Sequence, residues 1–131
     1  MSELKTPYER IGGEPAVRKL CQTFYQIMCE TPQTALIRDL HPQDIASSEE
    51  KLFMFLSGWL GGPSLYTDKY GHPRLRARHL PFSIGIEERD QWLYCMAQAL
   101  KTLDLEPLFA EQLMSSFVQT ADFMRNRAEE S

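Results

Sequence analysis

The stretch Gly71-His72-Pro73-Arg74-Leu75-Arg76-Ala77-Arg78-His79-Leu80-Pro81-Phe82 holds the residues of this sequence best suited to chemistry. Three arginines stand at every second position, and His79 follows the last of them. Pro73 and Pro81 leave room for roughly two helical turns between them. A guanidinium is a planar fork for a carboxylate or phosphate, and a neutral imidazole offers one lone pair to a metal ion. A short helix of this kind can hold an anion beside a metal. Taken alone, the segment reads more readily as a solvated basic connector, and its neighbours have to decide.

Those neighbours are helical. Period-2 alternation is nearly absent, and the long segments carry a 3.6-residue period. Thr6-Pro7-Tyr8-Glu9 opens a short helix, with Thr6 as N-cap and Glu9 closing a capping box, and Gly12-Gly13 stops it. A second helix is predicted over 14–30, with Val17, Leu20, Cys21, Phe24 and Met28 as its apolar stripe and Tyr25 at the stripe's edge. Thr31-Pro32 breaks it, and a short apolar turn leads to His41-Pro42. Ser47 with Glu50 signals a further capped helix, with Leu52, Phe55, Leu56 and Trp59 on one face, ended by Gly61-Gly62-Pro63. Positions 64–73 look irregular. Two long helices follow, over about 86–103 and 107–127. They present Trp92, Met96, Ala99, Leu100 and Leu103, then Phe109, Leu113, Phe117, Ala121 and Met124.

The fold class expected is therefore all-α, one domain over 1–131, with four main helices and a long glycine-flanked interruption. Two helix pairs beside the basic segment leave room for an apolar cavity. Phe24, Tyr25, Leu52, Phe55, Leu56, Trp92 and Met96 would line it, more aromatic bulk than a plain bundle of this size needs.

Charge and cysteine content narrow the function classes. The net charge is −4, so bulk attraction to nucleic acid or to an anionic membrane is not expected, and the arginine run is a local basic patch. Cys21, Cys29 and Cys95 are odd in number, and no two form a Cys-x-x-Cys pair. A reducing, cytoplasmic setting fits better than a disulfide framework, and covalent haem attachment through Cys-x-x-Cys-His is excluded. No run approaches a membrane span, and the first residues show no apolar signal-like core.

Five blocks in collinear order now become specific. They are Phe24-Tyr25, Leu52-Phe53-Met54-Phe55-Leu56, Trp59-Leu60-Gly61-Gly62-Pro63, the segment 71–82, and Glu88-Arg89-Asp90-Gln91-Trp92-Leu93. Together they resemble the second group of the truncated haemoglobins, over roughly positions 7–120. The resemblance implies a two-over-two helical sandwich around one non-covalent haem b, pairing 14–30 with 47–60 and 86–103 with 107–127. His79 falls on the proximal iron ligand. Tyr25, His41 and Trp92 fall on the main distal polar positions, where His41 departs from the aromatic residue common in the family. Ser48 stands where many longer globins carry a distal histidine. Leu52 and Phe55 fall on distal apolar wall positions, Phe24, Leu56 and Met96 join them as cofactor-binding residues from the cavity lining, and Tyr66 and Arg78 fall on positions that hold haem propionates. Arg74, Arg76 and His72 read as rim residues.

The implied function is binding of oxygen and other diatomic gases, nitric oxide and carbon monoxide among them, at ferrous iron, with slow release. Tyr25, Trp92 and Ser48 are donors by residue type, and a neutral His41 donates from one of its two nitrogens. The alternative implied is a haem redox enzyme acting on peroxide or nitric oxide. With no flavin or nicotinamide motif in the sequence, that chemistry would need an external reductase. A homodimer is the assembly the resemblance suggests.

Overall fold

The computed structural model describes residues 6–41, 44–71 and 85–123, and every regular element among them is helical. The first helix, α1 (Pro7–Ile11), starts as its sequence predicts. The Thr6 hydroxyl accepts from the Glu9 N–H at 3.2 Å, and the Glu9 carboxylate accepts from the Thr6 N–H at 3.2 Å. These two bonds satisfy donors that a helix start leaves without partners. Gly12 ends α1 at φ 122°, a left-handed backbone that side chains with a Cβ resist, and α2 (Gly13–Glu30) begins at once.

The predicted stripe of α2 is buried, and Tyr25 is buried with it rather than lying at its edge. Pro32 cannot continue the helix, and the chain turns through a 3₁₀ segment (Pro32–Thr34) into α3 (Ala35–Asp39). Thr34 is fully buried, and its hydroxyl lies 2.9 Å from the Met28 carbonyl and 2.8 Å from that of Thr31. It thereby serves the Met28 carbonyl, which Pro32 leaves without a helical donor, and adds to the Thr34 N–H bond on the Thr31 carbonyl.

The next helix, α4 (Ala46–Trp59), begins before the predicted Ser47 cap. Ile45 occupies the cap position without a side-chain bond, and Asp44 Oδ1 accepts from the Ala46 N–H at 3.0 Å. The Ser47–Glu50 capping box therefore does not form. Gly61-Gly62-Pro63 ends α4 as expected. Buried Ser57 donates its hydroxyl to the Pro63 carbonyl at 2.7 Å, which holds that corner against the helix. The Tyr8 N–H donates to the Leu60 carbonyl at 2.9 Å, and α1 lies so close that a Cβ on Gly62 would overlap the Tyr8 ring.

Positions 65–70, read as irregular, form a short helix, α5 (Leu65–Tyr70). Its six residues lack a helical apolar pattern, and packing against α4 supplies what propensity does not. Two long helices complete the described chain, α6 (Ile86–Lys101) and α7 (Pro107–Phe123). Met124 and the predicted end of the last helix lie outside the described residues.

The expected pairs, α2 with α4 and α6 with α7, are in contact, and α2 packs extensively on α6 to join them. One apolar cluster runs through all four long helices. Each fully buried Phe, Leu or Met there contributes roughly 1.5–3 kcal/mol. Among the described residues no helix is long and apolar enough to cross a membrane.

Candidate functional site

The polar side chains singled out from the sequence meet where α2, the end of α3, the start of α4 and the first turns of α6 converge. Tyr25 is 4% exposed. Its ring stands edge-on to Phe24 at 4.9 Å and edge-on to His41 at 5.5 Å. Phe24 meets Trp92 at 5.2 Å, so Tyr25, His41 and Trp92 share one aromatic cluster. Beyond Trp92 the contacts continue to Phe117 at 5.8 Å, which stacks on Trp59 at 4.6 Å.

Each polar group has a definable state. Burial, followed by the nearby Cys21 and Glu49, pushes the Tyr25 phenol above its ordinary range. It therefore keeps its proton and acts as a donor. Its O–H points to the Ser48 carbonyl at 3.5 Å, the long limit of a hydrogen bond. Ser48 thus meets Tyr25 through its backbone, where the sequence suggested only its hydroxyl. Among the described residues nothing accepts from the Trp92 indole N–H.

His41 is held by its own turn. Its backbone N–H donates to the Arg38 carbonyl at 3.0 Å, and the Arg38 guanidinium donates to the His41 carbonyl at 3.4 Å. Ring atom Nδ1 lies 2.8 Å from the Ile37 carbonyl. The N–H of the same Ile37 donates to Gln91 Oε1 at 3.0 Å. Gln91 was not singled out in the sequence; its only signal there is adjacency to Trp92 on α6.

The apolar residues divide into two sets. Phe24, Leu56 and Met96 are fully enclosed, whereas Leu52, Phe55, Tyr66 and Trp92 are half-buried. Tyr66, on α5, stands edge-on to Phe55 at 6.4 Å. His79, Arg78 and the rest of the basic segment after Gly71 lie outside the described residues. A half-buried apolar wall beside a proton-holding phenol and an unsatisfied indole donor fits a flat apolar cofactor carrying a small polar ligand.

The bacterial-like globin family model matches residues 6–126. A group 2 truncated haemoglobin of Bacillus subtilis, YjbI, is 42% identical over 123 residues, which are 94% of this chain and 90% of that protein. Among solved structures, a cold-adapted truncated haemoglobin from Pseudoalteromonas haloplanktis is 44% identical with a TM-score of 0.92, over 95% of this chain and 100% of that one. A truncated haemoglobin from Bacillus subtilis, described as oxygen-avid, is 42% identical with a TM-score of 0.85, over 93% of this chain and 100% of that one.

Proposed function

This chain belongs to the bacterial-like globin family, among its group II truncated haemoglobins, and from that premise we propose that it holds one non-covalent haem b and captures oxygen tightly. Haem supplies a ferrous ion with one coordination position open to a diatomic ligand. His79 would hold the ion from the proximal side, and Arg78 and Tyr66 would hold the propionates. Leu52 and Phe55 supply an apolar wall that keeps water out.

On the distal side the work falls to hydrogen-bond donors. Oxygen at such an ion would carry partial negative charge, which is what the donors of this pocket would meet. The observation that carries the proposal is the buried Tyr25 phenol. It keeps its proton, spends it on only a 3.5 Å contact, and lies two ring contacts from the Trp92 indole. In a dry pocket each donor contributes roughly 1–3 kcal/mol. Each ~1.4 kcal/mol specific to the bound state slows release tenfold. Two donors slow it by about a hundredfold, which suits retention of the gas, or chemistry on it, better than delivery.

The test begins with the absorption spectrum of the purified protein and of His79→Ala. The wild type should show a strong Soret band, and the variant should lose haem or change its spectrum. A colourless wild type would overturn the proposal. An unchanged variant would overturn the role of His79.

A further inference from the structure

The distal corner contains a hydrogen-bond chain that fixes more than position. A backbone carbonyl only accepts, so at 2.8 Å from the Ile37 oxygen, His41 Nδ1 carries the hydrogen. Turning the ring over would set a carbon against that oxygen and lose the bond. The neutral ring is therefore the Nδ1–H tautomer, and its Nε2 is an acceptor. From residue type alone, either nitrogen of His41 was free to donate. The geometry spends that donor on the backbone.

What holds Ile37 in place comes from another helix. Ile37 is the third residue of α3, where an N–H has no partner within the helix. Gln91 of α6 supplies the acceptor, at 3.0 Å. One face of Ile37 is thus tied to α6 and the other to the His41 ring. A five-residue helix has little stability of its own, so this tie and the burial of Ile37 locate the carbonyl that the ring needs.

We propose that Gln91 is a positioning residue, which fixes His41 as an Nδ1–H ring whose Nε2 accepts. Resting on the reading of this corner as the distal side, the donors to a bare diatomic gas are then Tyr25 and Trp92, because His41 has spent its ring hydrogen on Ile37. A histidine at this place thereby differs from a phenol, which donates.

The experiment reads the tautomer directly, by nitrogen-15 NMR of histidine-labelled holoprotein in its diamagnetic carbon monoxide form. His41→Phe identifies the signals. His41 should show a protonated Nδ1 and a bare Nε2 at neutral pH. Gln91→Leu, which cannot accept from Ile37, should give mixed tautomers. Gln91→Glu keeps an acceptor oxygen and should restore the single tautomer, and it also serves if the leucine variant fails to fold. A protonated Nε2 in the wild type, or the same tautomer in Gln91→Leu as in the wild type, would overturn the proposal. The tautomer is equally readable in a protein found to lack haem, so failure of the oxygen-binding reading shows separately.

Discussion

Replacing Tyr25 with phenylalanine removes one oxygen atom from a side chain that is 4% exposed. The ring contacts with Phe24 and His41 need no hydroxyl and survive the change. The bond that is lost, to the Ser48 carbonyl at 3.5 Å, is at the limit of what counts as one. That carbonyl also sits in the first turn of α4, where the helix ladder supplies its own donor. Loss of stability should therefore stay under about 1 kcal/mol, roughly 3–6 °C in Tm for a chain of this length. The ligand-bound state loses far more. A protonated phenol in a dry pocket is worth about 1–3 kcal/mol there, so oxygen release should speed by about 10- to 100-fold. Stopped-flow release of oxygen into a carbon monoxide solution measures the rate, and a thermal scan of the same sample measures the stability. A release rate within twofold of wild type would refute the donor role. A large fall in Tm with an unchanged rate would make Tyr25 a packing residue only.

Thiol chemistry should follow burial. Cys29 is exposed, while burial raises Cys21 to about 12 and Cys95 to about 11 from the ordinary 9.0. A maleimide should label one thiol rapidly in the native protein and three in denaturant. The two raised pKa values also set an alkaline limit. Their contribution to stability is fully present below about pH 9 and is lost as pH rises through the folded values near 11 and 12. Urea midpoints at about pH 8 and pH 10.5 should differ in that direction, and Cys21→Ala should narrow the gap. Thr34→Val should cost about 1–3 kcal/mol, because the Met28 carbonyl loses its donor while the Thr31 carbonyl keeps the backbone N–H of residue 34. A midpoint shift at constant m value measures it, and a cost under about 0.5 kcal/mol would contradict the assignment.

What the sequence made legible was local or periodic. The Thr6–Glu9 box joins residues three positions apart and formed. The stripe of α2 repeats every third or fourth residue and was buried as read. The Ser47–Glu50 box looked equally good but lost to Asp44, whose carboxylate met Ala46 and let the helix start earlier. Helix α5 was invisible because packing on α4 makes it, through contacts such as Tyr66 on Phe55. At the site, the family resemblance pointed to Tyr25, His41 and Trp92, and the structure brings them into one cluster. The sequence was silent on two backbone partners. The Ser48 carbonyl and the Ile37 carbonyl have no side-chain signature, and the Gln91 tie links residues 54 positions apart.

The contact between Gly62 and Tyr8 bears on how the sequence can drift. A Cβ at 62 has no room while a phenol ring stands at 8, and α1 cannot back away without losing the Tyr8–Leu60 bond. The two sites are thus a lock with one permitted order of opening. A lineage reaches a larger residue at 62 only after 8 has shrunk, and the reverse order passes through a damaged intermediate. The corner where α4 ends therefore inherits its freedom to vary from the start of the chain.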